Sequence, residues 1–220
     1  VLAHETNLRA ALLETIQSFL TERSVTYIGK SHCGRTILHV LLGTTWEQLP
    51  AYLPPDILKP YQDVIRKIIG INPSILDAPD RHGRSPLHCF LDGIRGYKAI
   101  LEVDAIYEIV EILKTDHNVN AVDHDGQTAL HIFLTILPLF NKKSHDMFCK
   151  LNRLLKSEKN VNIQNSEGET VLHLLAKTIF LFPKTKGQLI EAITILSTNT
   201  NVNALDSDGV APYCWILCAK

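Results

Sequence analysis

The chain has 220 residues, which is enough for one ordinary domain or one modest repeat array. Hydrophobic residues make up 45% and charged residues 20% of the sequence, a composition typical of a folded chain rather than a disordered one. The 22 Lys and Arg residues nearly balance the 23 Asp and Glu residues, so attraction to nucleic acid or to an anionic membrane surface is not favoured. No stretch is long and apolar enough to predict a membrane span.

The first predicted element is a helix over residues 4–20, because apolar residues recur there on one face. We expect residues 1–24 to be a capping helix or the end of a preceding repeat. The chain begins with Val1 and its one methionine is Met147, so we expect it to be a piece of a longer protein.

Cysteine usage indicates the compartment. The five cysteines are odd in number and form no Cys-x-x-Cys pair, which favours a reduced protein over a disulfide framework. We therefore expect an intracellular, cytoplasmic protein, with the nucleus as the alternative location.

From residue 25 onward the chain repeats itself. Five copies of one motif begin with glycines that lie 49, 43, 42 and 41 residues apart: Gly34, Gly83, Gly126, Gly168 and Gly209. Four copies end in a Leu-His pair, with the histidines at His39, His88, His131 and His173, and the fifth has Tyr213-Cys214 instead. A second motif, Asn-Val-Asn, precedes three copies and places asparagines at Asn120, Asn162 and Asn203. Self-similarity of this kind predicts a repeat architecture.

Each copy contains the residues that a turn followed by a helix requires. The Asp-x-Asp-Gly cluster before Thr128 is turn chemistry, and Thr128 can cap the next helix. Pro86 and Pro212 stand where proline is tolerated in a first helical turn. A second amphipathic helix is predicted in each of the first four units, over residues 57–69, 103–113, 147–155 and 188–196. The sequence therefore predicts an all-α array of about five helix-loop-helix units, with approximate repeats 25–73, 74–116, 117–158, 159–199 and a partial 200–220.

These residues resemble the ankyrin repeat, whose signature is Thr-Pro-Leu-His after a glycine-containing turn. The resemblance covers residues 25–220 and departs in length, because ankyrin units usually have about 33 residues. The long units also resemble the C-terminal repeats of feminization-type ubiquitin-ligase substrate receptors. The resemblance implies a stacked solenoid with short finger turns and a structural role for the four histidines. It also implies that Asn120, Asn162 and Asn203 match a position that can be hydroxylated, although turn formation alone explains them.

The resemblance implies a non-catalytic protein–protein interaction module, a scaffold or substrate-recognition segment of a larger protein, whose partner is another protein or peptide. Nucleic acid, membrane and small-molecule partners are not expected, nor is a cofactor or a metal. No catalytic motif occurs within the chain, so we predict that it is not an enzyme. Two alternatives stay open: an inhibitory array that masks a transcription factor or another signalling partner, and a targeting segment of an enzyme whose catalytic domain lies elsewhere.

The predicted finger tips are the first candidate for partner binding. Early tips are basic and later tips are acidic, which suggests a dipolar edge that orients the partner. The alternative is that these charges are solvated or close turns. The candidate residues are Arg81, His82, Arg84, His124, Asp125, Glu167 and Asp208.

Apolar residues between the predicted helices are the second candidate. Trp46 and Tyr52 lie in a proline-rich insertion over residues 43–60, which we expect to be exposed and to contact the partner. The apolar segments 136–140 and 179–183 occupy equivalent places in adjacent units. They are either an exposed interface or an extension of the stacked core.

Overall fold

The computed structural model describes residues 33–48, 55–95, 103–136, 145–181 and 186–218. Within these ranges the chain is all-α, as predicted, and forms no strand. The predicted helix at residues 4–20 lies outside the described residues. The α-helices are α1 (Ile37–Gln48), α2 (Pro55–Ile71), α3 (Pro86–Arg95), α4 (Val103–Leu113), α5 (Ala129–Thr135), α6 (His145–Leu155), α7 (Val171–Leu181), α8 (Lys186–Leu196) and α9 (Pro212–Cys218).

The helices pack in two rows. Helices α1, α3, α5, α7 and α9 contact one another in chain order and form the first-helix row, while α2, α4, α6 and α8 form the second-helix row. One apolar core runs through both rows and includes Phe90 of α3, Phe133 of α5 and Leu151 of α6, all fully buried. No unit can cover its own apolar face, so each depends on its neighbours for burial.

A short turn, here called a finger, precedes each first helix. The first finger is described from Cys33 onward and contains Gly34, and the other four are residues 80–84, 123–127, 165–169 and 206–210. In the finger at residues 123–127, Asp123 Oδ1 accepts hydrogen bonds from the backbone N–H groups of Asp125 and Gln127, at 3.0 and 2.8 Å. Gly126 has a φ of +71°, a left-handed conformation that glycine adopts without steric cost. The turn residues that the sequence indicated therefore close these fingers.

The recurrent histidines connect successive units. His131 Nδ1 accepts from the backbone N–H of Thr128 at 3.2 Å, so its Nε2 carries the proton and donates to the Glu169 carbonyl of the next unit at 3.2 Å. His39, His88 and His173 make the same link, to the carbonyls of Arg84, Gln127 and Val210. Each of these imidazoles is buried, which places it in a structural position within the core.

Buried asparagines make a second set of links. Asn160 Nδ2 donates to the carbonyl of Leu155 in its own unit at 2.8 Å and to the carbonyl of Val119 in the preceding unit at 2.9 Å. Its Oδ1 accepts from the backbone N–H of Ser157 at 2.9 Å. Asn118 and Asn201 repeat this arrangement. Buried carbonyls at the ends of the second helices are thereby satisfied.

The last unit departs from the pattern. Ala211 and Cys214 occupy the places of the capping threonine and the histidine. Tyr213 is 55% and Leu217 73% exposed, whereas the residues in the equivalent places of the earlier units are buried. Helix α9 is held by its contact with α7 and by the hydrogen bond between His173 and the Val210 carbonyl.

Replacing Asn160 by alanine is expected to lower the free energy of unfolding by about 2–4 kcal/mol, because it leaves two buried carbonyls and one N–H without a partner. The matched control is Asn203→Ala. Asn203 is exposed and makes one hydrogen bond, to the Asn199 carbonyl at 3.3 Å, so we expect a loss below about 1 kcal/mol. Urea unfolding followed by circular dichroism measures both, and equal losses would contradict the role of the buried asparagines.

Acid is expected to destabilise the array through its histidines. Burial lowers the pKa of His39 and His88 below the ordinary value, and it lowers the pKa of His131 to about 4. A pKa that is lower in the folded state gives stability that is complete above the unfolded value of about 6.5 and is lost as the pH falls. His131 alone accounts for up to about 3 kcal/mol by pH 4. A urea midpoint that stays constant between about pH 6.5 and 4.5 would contradict this prediction.

Candidate functional site

The fingers stack through their backbones. The N–H groups of Arg81, His124, Ser166 and Ser207 each donate to the tip of the preceding finger, at 2.8–3.0 Å, and the accepting carbonyls are those of Cys33, His82, Asp125 and Glu167. We call this set of tips the finger row. Because the backbone groups are used in stacking, the tip side chains are the part of each finger that faces solvent.

Glycine permits the close approach of one finger to the next. A Cβ on Gly168 would lie 2.7 Å from the backbone nitrogen of Ser207, and Gly34, Gly83 and Gly126 face the next finger in the same way. Gly209 has the same left-handed φ, +74°, but its Cβ would meet nothing within 4 Å. The finger glycines therefore have two roles, a turn conformation in all five and a close contact in four.

Between the second and third units the finger row borders a polar cleft of about 270 Å³. The tips contribute His82, His124 and Asp125, whose two imidazole rings lie 6.5 Å apart in an edge-on arrangement. The other residues that line the cleft are Arg84, Asp92, Asp123, Gln127 and Ile132. The cleft is open to solvent rather than enclosed.

Four of the predicted partner-binding residues meet in this cleft: His82, Arg84, His124 and Asp125. Arg81 lies beside it, exposed, with its Nε donating to His82 Nε2 at 3.1 Å. Glu167 and Asp208 are exposed on the following two tips and do not line the cleft. The sequence therefore identifies the finger tips that surround the cleft but not all of its wall.

Asp92, on α3, is a charged wall residue that was not among the predicted binding residues. Its carboxylate lies 3.4 Å from Arg84 Nη1. In the fourth unit the equivalent positions are occupied by Glu169 and Lys177, which form an ion pair of reversed sign. Opposite charges eight residues apart in two units were a usable signal, because a repeated pairing of this kind indicates two side chains that contact each other.

Arg84 is also held by the finger itself. Its Nη2 lies 3.2 Å from Oδ2 of the buried Asp80, and Arg35 Nε lies 3.9 Å from the same oxygen. Burial raises the pKa of Asp80, but hydrogen bonds from the backbone N–H groups of Arg84 and His82 and the Arg84 charge lower it below its ordinary value. Asp80 therefore contacts two of the early basic residues, and Arg84 has Asp92 as a second carboxylate partner.

The charges of the later fingers also divide into internal and exposed groups. Asp123 and Asp206 close their turns through Oδ1, and Glu169 is buried beside Lys177. The exposed charges of the tips are Arg81, Asp125, Glu167 and Asp208. The edge is thus more acidic than the predicted dipole, because Arg35 and Arg84 are paired with the carboxylates of Asp80 and Asp92.

The second group of candidates is only partly described. Trp46 falls in α1, and Tyr52 lies outside the described residues. Helix α1 continues to Gln48 and α2 begins at Pro55, so much of the predicted insertion at residues 43–60 is helical. Ile136 and Ile179 are buried, which agrees with the interpretation as core, whereas Leu181 is 65% exposed.

Two of the described cysteines, Cys89 and Cys149, are buried. Burial raises the pKa of Cys89 to about 11 and that of Cys149 to about 11, so both thiols are protonated at neutral pH and are poor nucleophiles. In the part of the chain that the structure describes, no three His, Cys, Asp or Glu residues are arranged to hold a metal ion. Nor is any helix there long and apolar enough to cross a membrane.

No protein-family model matches the sequence, and no curated protein matches it significantly. Function is therefore inferred from the residues of the finger row and the cleft.

Alanine at Gly168 is expected to lower the free energy of unfolding by about 2–4 kcal/mol, because it adds a backbone clash to the strain of a left-handed φ. Gly209→Ala is the matched control, since it introduces the same strain into open space and should cost about 1–2 kcal/mol. Chemical denaturation of both variants measures the difference. Equal losses would show that the contact between fingers contributes nothing.

Proposed function

We propose that the chain is a non-catalytic protein-interaction module, an ankyrin-repeat solenoid that binds a polypeptide partner along the finger row and the adjoining cleft. The repeated Leu-His motif, the histidine links between units and the glycine-led fingers support the assignment to this repeat class. Stacked units of this kind present an extended surface, and partners bind such surfaces through contacts spread over several units.

The proposal rests on one observation: in each finger some groups hold the fold and others are left exposed to solvent. Backbone groups and the turn-closing Asp or Asn are committed to the fold, while Arg81, Asp125, Glu167 and Asp208 are exposed at regular intervals. Because the fold already fixes the backbone that carries these side chains, binding a partner costs little additional backbone entropy. An open polar cleft between two tips also suits a segment of a partner chain better than an enclosed substrate.

The test combines photo-cross-linking from two positions with a charge reversal at each of two exposed residues. A photoreactive phenylalanine analogue replaces His124 at the cleft or Ile190 on α8, where the side chain is 57% exposed. Cross-linked partners are identified by mass spectrometry from cells that express the tagged chain. We expect partner cross-links from position 124 and few from position 190.

Asp125→Lys is expected to reduce the captured partner about tenfold, because it reverses a charge at the contact surface. Glu111→Lys on α4 makes the same charge change on an exposed residue of the second-helix row and should leave capture unchanged. Circular dichroism and the unfolding midpoint establish that both variants are folded. Capture that depends on Glu111 and not on Asp125 would place the interaction on the second-helix row and contradict the proposal.

A further inference from the structure

The cleft between the second and third units carries an excess of negative charge. Asp92, Asp123 and Asp125 line it, against the single guanidinium of Arg84. That guanidinium already pairs with Asp92 at 3.4 Å and with the buried Asp80 at 3.2 Å. Its charge is therefore matched by Asp80 and Asp92, which leaves the carboxylates of Asp123 and Asp125 as the surplus negative charge of the cleft, with the exposed Arg81 beside it.

Asp125 is the carboxylate that is most free to act on a ligand. Its backbone N–H and carbonyl are used in the finger and in the finger row, at 3.0 and 2.8 Å. Among the described residues its side chain has neither an ion-pair partner nor a hydrogen bond, and it is exposed at the tip. Asp123, by contrast, uses Oδ1 to hold the turn, so it contributes charge without being able to move.

The cleft also has an apolar wall. Ile132 of α5 lines it together with the carboxylates. A long aliphatic stem that ends in a cation matches this combination, because lysine and arginine place their methylene groups on apolar surface while the charged end remains near water and anions. A volume of about 270 Å³ is below that of pockets for drug-sized ligands, and it suits a single side chain.

We propose that this cleft binds a lysine or arginine side chain of the partner polypeptide. The proposal rests on the proposed function and specifies the partner chemistry at that site: a basic, extended segment. The exposed acidic tips that follow, Glu167 and Asp208, extend the same preference along the finger row. An acidic segment would meet the surplus carboxylates. Of the two nearby guanidinium groups, Arg84 is already paired with Asp80 and Asp92, and Arg81 lies beside the cleft without lining it.

The experiment is an NMR titration of the isotope-labelled 220-residue chain with blocked tripeptides: acetyl-Ala-Lys-Ala-amide, acetyl-Ala-Arg-Ala-amide and acetyl-Ala-Glu-Ala-amide. A single side-chain contact is expected to bind in the millimolar range. The lysine and arginine tripeptides should give saturable shifts of the amide signals of His82, His124, Asp125 and Gln127, and the glutamate tripeptide should not. Added salt should weaken the binding, because one partner is an exposed carboxylate.

The matched pair of variants is Asp125→Asn and Glu111→Gln. Both residues are exposed, but only Asp125 lines the cleft, and Glu111 lies on α4 in the second-helix row. Asp125→Asn is expected to weaken binding of the cationic tripeptides about fivefold, and Glu111→Gln should leave it unchanged. The spectra themselves show whether each variant is folded.

The outcomes separate this inference from the proposed function. No saturable shift up to about 20 mM tripeptide, equal shifts with the glutamate tripeptide, or equal weakening by the two variants would overturn the cation preference. If the tripeptides give one of these results but cross-linking from position 124 still depends on Asp125, the proposed interaction module is retained and the preference for a cationic partner is rejected. If the cationic tripeptides bind but position 124 gives no partner cross-links, the cation preference of the cleft is retained and the proposed partner contact along the finger row is rejected.

Discussion

The structure depends on one constraint: the backbone groups left over at the end of each unit must find partners in the next unit. A turn and two helix ends per unit expose many N–H and carbonyl groups, and burying them unpaired would cost several kcal/mol in each unit. Two buried side chains, a histidine and an asparagine, provide such partners. The imidazole of His131 reaches forward to Glu169, and the amide of Asn160 reaches back to Val119. Apolar packing supplies the drive to stack, and these hydrogen bonds set the register.

Much of this order was predictable from the sequence because it is local. Glycine before a threonine-capped helix, a histidine three residues after the cap, and an apolar stripe each follow from residues close in the chain, and the all-α fold was predicted from them. The end of α1 was not predictable, because the helix continues through Gly43. A glycine within a helix costs only about 1 kcal/mol, so it does not have to end the helix. The links from histidine to the next carbonyl span 37–45 residues, a distance at which local patterns carry no information.

The cleft shows the same limit. His82, His124 and Asp125 could be identified because a tip residue is recognisable beside its glycine. Asp92 lies outside the repeated motif, and only its charge, opposite to that of Arg84 eight residues earlier, could have indicated it. The predicted dipole was weakened for a related reason. Arg35 comes from the preceding unit, and only the stacked fold places it beside Asp80, which also pairs with Arg84 in its own finger.

The units differ in length, yet the spacing from finger glycine to first helix hardly changes. Most of the extra length of the first unit lies in its second helix, because α2 has 17 residues whereas α4, α6 and α8 have 11 each. Growth of the chain there leaves the contact between neighbouring turns untouched. The helices can therefore change in length during evolution, while the spacing of each finger glycine from its first helix stays the same.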